Sequence, residues 1–279
     1  MSLTQIRRKT SQTLKSGTET QAKGSIIKLS KDYNSSSFKF DQVLPEGCSQ
    51  ETSFLLSSAQ IAQNFITLGS SATIFAYGQT GAGKTFTIIG GGREQGSKKE
   101  GSRAGGNKKF KLSSSEKKGI LPRIIDHLFE SPLDANVPLD SAQFTMSFFE
   151  IYNDKVYDLL KKPTFSPSNT NSVGSKDGSA SVTSRESLEV REEKDGNFVV
   201  HNLKKVVVNT RQESYIWLEQ GLQNRQICAT SQNAASSRSH TIFQIEKANP
   251  LSLTGPSSKL RIVDLAGSEK YSYSNKGQD

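Results

Sequence analysis

The sequence predicts an α/β domain in which a central, mostly parallel, twisted sheet is covered by helices on both faces. Three observations predict it. Apolar runs with strand-like and helix-like periods alternate from about residue 38 onward. The glycine-rich segment Gly78 to Thr85 lies between a strand-like run and a plausible helix start. A late apolar run, "KLRIVDLAG", ends its strand with Asp264 and continues through Gly267.

Taken in order, "FKFDQVL" from Phe38 alternates as a half-buried strand does, and "FLLSSAQIAQNFITLG" carries a helical stripe at 54, 55, 61, 62, 65 and 66 closed by Gly69. Thr73 to Ala76 reads as the strand before the glycine-rich loop. "GILPRIIDHLF" sets Leu121, Ile124, Ile125, Leu128 and Phe129 on one helical face, with Pro122 in the first turn, where its missing N–H costs little. "QFTMSFFEIYNDKVYDLL" reads as a strand, a polar turn and a short helix. "SLEVREEKDGNFVVHNL" predicts a hairpin turning at Asp195-Gly196. Thr210 and Glu213 form a capping box that opens a helix through Gln220, and "SHTIFQIEK" is a buried strand.

Composition narrows the function classes. The chain has 279 residues and a formal net charge of +9. Residues 1–31 and 93–118 each carry +6, so the remainder sums to −3. A nucleic-acid-binding domain more often carries its basic patch on the folded body, which argues against a nucleic-acid partner. Both basic segments are rich in Ser, Gly and Lys, so residues 1–37 and an insert at about 91–118 are expected to be disordered, as is a Ser/Thr/Asn-rich gap at 161–187. No apolar run reaches membrane-spanning length, no signal peptide opens the chain, and an intracellular location is expected. Cys48 and Cys228 have no metal-binding spacing and read as packing residues.

Gly78, Gln79, Thr80, Gly81, Ala82, Gly83, Lys84 and Thr85 match G-x-x-x-x-G-K-[ST] in full. Glycines let successive backbone N–H groups face phosphate oxygens, Lys84 reaches the β- and γ-phosphates, and the Thr85 hydroxyl holds Mg²⁺. The motif by itself implies a bound nucleoside triphosphate and leaves its use open, between an ATPase and a GTPase-type switch. Something must also sense the third phosphate and position water. "NAASSRSH", Asn233 to His240, and "VDLAGSE", Val263 to Glu269, are the two candidates, with Asp264 placed to hold Mg²⁺ through water and Gly267 able to offer an N–H to the γ-phosphate.

"FAYGQTGAGKT", "NAASSRSH" and "DLAGSE", in this order and at these separations, resemble the P-loop, switch I and switch II of the kinesin motor domain, and "FFEIYNDKVYDLL", "GILPRI" and "GLQNRQICATSQN" resemble its connecting segments. The resemblance implies an ATPase using ATP and Mg²⁺, partnered by microtubules (tubulin) in the cytoplasmic cytoskeleton, with residues 38–279 as a partial motor domain. It implies Thr85 and Ser237 on Mg²⁺, Ser236 and Ser237 beside the attacking water, and Asn233 near the γ-phosphate. Arg238 would pair with Glu269 when that phosphate is present, and Phe86 would lie against the adenine. His240 and Tyr77 read as structural. Residues 1–38 show no R-x-R-P strand, and ten residues follow Glu269. The expectation is therefore a motor domain incomplete on its C-terminal side, with a non-motile nucleotide-binding relic as the alternative.

Overall fold

In a computed structural model, the described residues are 6–8, 18–23, 26–31, 34–91, 115–130, 144–162, 164–165, 182–194, 196–231, 238–247 and 257–269; side chains are described from residue 38, excepting 164–165, 182–184 and 228–231. The basic insert at 92–114, Asn233, Ser236, Ser237 and the last ten residues lie outside this set.

Four strands cross the N-terminal segment expected to be disordered: β1 (Ile6–Arg8), β2 (Thr18–Lys23), β3 (Ile26–Lys31) and β4 (Asn34–Lys39). β2, β3 and β4 form an antiparallel sheet, and β1 pairs in parallel with β5 (Gln42–Leu44). Composition misled here because strand pairing is satisfied by backbone groups and tolerates polar side chains.

The helical stripe divides into α1 (Gln50–Ser57) and α2 (Ala59–Leu68). Ser49 caps α1 by accepting from the Thr52 N–H at 3.0 Å. Gly69, at φ +62°, ends α2 where the sequence placed its stop. Then follow β6 (Ala72–Ala76), α3 (Lys84–Ile88), α4 (Ile120–Glu130), β7 (Phe144–Tyr152) and β8 (Lys155–Asp158). β8 replaces the expected short helix. Asn153 and Asp154 take φ of 49° and 58°, the conformation of a two-residue hairpin turn, so the chain folds back and pairs Ile151 with Val156.

Short strands β9 (Thr164–Phe165), β10 (Val182–Ser184) and β11 (Ser187–Leu188) border or lie within the gap read as a loop. β12 (Val190–Glu192) and β13 (Phe198–Val200) make the expected hairpin, with Gly196 at φ +77° in its turn. After β14 (Val206–Val208), α5 (Arg211–Ser231) extends eleven residues beyond its expected end at Gln220. Its capping box is present: the Glu213 N–H donates to Thr210 Oγ1 at 3.1 Å, and the Glu213 carboxylate accepts from the Asn209 N–H at 2.8 Å. β15 (Ser239–Lys247) and β16 (Ser258–Asp264) complete the elements.

The central sheet runs β11-β8-β7-β15-β16-β6, with β14 also on β7. It is mixed rather than mostly parallel: β16 and β6 are parallel, whereas β7, β8, β14, β15 and β16 pair antiparallel. Successive strands joined directly, as at the Asn153-Asp154 turn, can only run antiparallel.

One face of this sheet presents Phe144, Met146, Phe148, Phe243, Ile245, Leu260 and Ile262, which form a single apolar core with Phe65, Ile66, Ile124, Ile125, Leu218 and Leu222 from the helices. Fully burying each such side chain is worth about 1.5–3 kcal/mol. Phe148 and Phe243 meet edge to face at 5.2 Å. On the opposite face Phe75 and Val207 are 48% and 56% exposed. Among the described residues, the helices of the core lie on the first face.

Candidate functional site

β6 delivers the chain to the glycine-rich loop, and α3 leaves it. Gly81 and Gly83 have φ of +81° and +84°, a region that costs an L side chain energy, so the loop needs glycine there to turn its amides inward. Lys84 folds back over the loop and donates to the carbonyls of Gly78 at 2.8 Å and Gln79 at 2.9 Å. Thr85 Oγ1 donates to Asp264 Oδ2 at 2.7 Å. The strand that carries Asp264, β16, is the parallel neighbour of β6, with Asp264 opposite Ala76. Sheet register therefore brings the sequence-predicted acid to the sequence-predicted hydroxyl.

The same register explains a cluster that sequence reasoning missed. Glu150 on β7 lies opposite Thr241 on β15, and Thr241 lies opposite Asp264 on β16, so two acids occupy one row across the sheet. Both are buried on the face covered by α5. Gly221 makes this approach close: a Cβ there would fall 2.2 Å from Phe148 Cδ1. One turn later Arg225 reaches both acids, with Nε 3.6 Å from Glu150 Oε1 and Nη1 3.4 Å from Asp264 Oδ2. Arg185, stacked on the Tyr157 ring, donates to Glu150 Oε2 at 2.9 Å. Two arginines and two carboxylates thus neutralise one another in an interior where an unpaired charge is costly. A signal existed: Glu150 interrupts the apolar run "FFEIY", and a buried acid requires a cation.

Asp264 Oδ1 is buried and has no hydrogen-bond partner among the described residues, and neither has Thr241 Oγ1 beside it in the row. A carboxylate oxygen left open next to a threonine hydroxyl is the hard-oxygen donor set that Mg²⁺ takes, usually with waters and phosphate oxygens completing the shell. The residues present fit that ion.

Beyond β16 the chain returns to the loop. The Ala266 N–H donates to His240 Nδ1 at 3.2 Å, which gives His240 the structural place expected of it. The Ser268 N–H donates to the Gly78 carbonyl at 3.1 Å. The Glu269 carboxylate accepts from the Thr80 N–H at 2.9 Å and from the Thr80 hydroxyl. These donors, chiefly the hydroxyl, together with the Lys84 charge hold the Glu269 carboxyl below the usual glutamate range. Among the described residues, Glu269 is thus joined to the glycine-rich loop; Arg238, its expected partner, stands exposed immediately before β15. A Cβ on Gly267 would come within 2.4 Å of the Glu269 carboxylate oxygens.

Phe86 is 45% exposed beside the loop, and its backbone carbonyl accepts from Gln50 Nε2 at 2.6 Å. Tyr77 is 74% exposed. Among the described residues no cluster of three or more His, Cys, Asp or Glu could hold a metal, and no helix is long and apolar enough to cross a membrane.

Comparison with known proteins agrees with this geometry. The kinesin motor domain family model matches residues 2–279, and so takes in the N-terminal strands. A kinesin heavy chain of Syncephalastrum racemosum is 34% identical over 258 residues, covering 91% of this chain and 22% of that protein. Kinesin-like protein KLP1 of Chlamydomonas reinhardtii is 34% identical over 239 residues, covering 84% of this chain and 25% of that protein. A solved structure of a fast kinesin, described with implications for its ATPase mechanism and interactions with microtubules, superposes with a TM-score of 0.71 at 29% identity, covering 99% of this chain and 68% of its own. The chain spans about a fifth to a quarter of the length of these two curated relatives.

Proposed function

The chain belongs to the kinesin motor domain family, and from that premise we propose that it binds ATP with Mg²⁺, hydrolyses it, and uses the nucleotide state to alter its grip on microtubules in the cytoplasm. The observation that carries this reading is the meeting of Thr85 and Asp264 at 2.7 Å with the second oxygen of Asp264 left open.

The loop amides from Gly81 to Thr85 bind the phosphates, and Lys84 leaves the carbonyls of Gly78 and Gln79 to place its charge on the β- and γ-phosphates. Thr85, Asp264 and Ser237 would hold Mg²⁺, whose charge offsets that of the triphosphate. Ser236 and Ser237 orient the attacking water, Asn233 and the Gly267 N–H face the terminal phosphate, and Phe86 presents its half-exposed ring to the base. Arg238 and Glu269 pair across the closed pocket, which requires Glu269 to leave Thr80. Charge stabilisation of this kind in a closed, water-poor site is the largest resource of phosphoryl transfer.

Phosphate release from ATP, measured with and without microtubules, tests the reading. The expected result is turnover that rises on adding microtubules and is lost in Lys84→Ala. ATP binding with no turnover under either condition would favour the non-motile alternative, and absence of ATP binding would overturn the proposal.

A further inference from the structure

Glu269 places an anion where the proposed ligand needs one. Its carboxylate takes the Thr80 N–H and hydroxyl, and lies against Gly267 in the space a Cβ would fill. In the same segment the Ser268 N–H is bound to the Gly78 carbonyl, one of the two carbonyls that hold Lys84. Residues 267–269 therefore grip the glycine-rich loop at Gly78 and Thr80, with the negative end of Glu269 facing amides that otherwise serve phosphate oxygens.

We infer that Thr80 is a positioning residue that parks Glu269 on the loop in the nucleotide-free chain, so that the carboxylate and the terminal phosphate of a nucleoside triphosphate compete for one place. This rests on the nucleotide reading given above and adds a regulation to it. Two anions cannot share a pair of donors without repulsion, so binding a triphosphate must first release Glu269. A ligand whose competent state is only a fraction of the population binds more weakly by that fraction. A diphosphate, lacking the terminal group, feels less of this opposition. The contact thus sets a threshold that favours the shorter nucleotide until Glu269 is withdrawn. Release also frees Glu269 for its second partner, so loop binding and switch closure draw on the same carboxylate.

Thr80 offers a clean handle, because its hydroxyl can be removed while its N–H and volume remain. The experiment measures binding of a non-hydrolysable ATP analogue and of ADP to the parent chain, Thr80→Val and Thr80→Ser, together with hydrogen exchange of the Thr80 amide in the nucleotide-free parent and in Glu269→Ala. Thr80→Val is expected to bind the ATP analogue about three- to tenfold more tightly, the range set by losing one charge-assisted hydrogen bond, with a smaller change for ADP. Thr80→Ser is expected to match the parent, and the Thr80 amide to lose protection in Glu269→Ala. Unchanged or weaker analogue binding by Thr80→Val, with the parent still binding both nucleotides, would overturn the inference and leave the nucleotide reading intact. A Thr80 amide equally protected in both chains would overturn it too. Failure of the parent to bind either nucleotide would remove the nucleotide reading itself, and this inference with it.

Discussion

Thr85 and Asp264, 179 positions apart, are joined by a 2.7 Å hydrogen bond from hydroxyl to carboxylate. Neither residue is at the surface of an element by accident: Thr85 opens the helix after the glycine-rich loop, and Asp264 ends the strand alongside. The parallel pairing of β16 with β6 fixes their separation. Consequences for function and for stability follow from this junction and from the charges beneath it.

Lys84→Ala removes the one side-chain cation that lies across the loop. Turnover of ATP is expected to fall at least about a hundredfold, as for removal of other charge-stabilising groups, while the fold is retained because the loop backbone keeps its shape. Steady-state phosphate release alongside thermal melting checks both halves.

Arg225→Met leaves Glu150 and Asp264 without the cation between them. Breaking one side of a buried pair costs about 3–5 kcal/mol, so chemical denaturation should show a markedly lower midpoint. Arg225→Lys, which keeps the charge and loses the fork, should recover part of that loss.

Gly221→Ala tests the close approach of α5 to β7. The added methyl would overlap the Phe148 ring, and overpacking of this kind costs about 1–3 kcal/mol. Alanine would otherwise favour a helix interior by up to about 1 kcal/mol, so a lower melting temperature would identify the clash as the winning effect.

How much of this was readable beforehand differs by element. The strand before the loop, the Gly69 stop, the Thr210–Glu213 box and the hairpin at Gly196 were legible because each is a local signal of backbone geometry or capping. Asp264 was legible because an acid closing an apolar strand is conspicuous. Arg225 and Arg185 were not, because their meaning arises only when register sets Glu150 and Asp264 in one row across β15. Strand direction was also hidden: periodicity reports which residues face the core, and says nothing of whether neighbours run parallel. The strands within residues 1–37 escaped because net composition outweighed the pairing capacity of the backbone.

Tyr215 carries a pH dependence whose sign is fixed. Burial first, then the hydrogen bond to Asp126 Oδ1 at 2.8 Å, push its phenol far above the ordinary range. A group with a raised folded-state pKa contributes stability that is complete below its unfolded value, about 10 for tyrosine, and is lost as pH rises beyond it. Tyr215→Phe should cost about 1 kcal/mol at neutral pH and remove part of the decline in stability at alkaline pH, as denaturation at a series of pH values would reveal.

The central claim, that Thr85 and Asp264 jointly hold the cation of a bound nucleoside triphosphate, is tested most directly by calorimetric titration of ATP across a range of Mg²⁺ concentrations, in the parent chain and in Asp264→Asn. The account predicts ATP affinity that climbs with Mg²⁺ in the parent and loses about tenfold or more of that gain in the variant, the scale at which groups supporting a metal site act. Equal Mg²⁺ dependence in the two chains would contradict it.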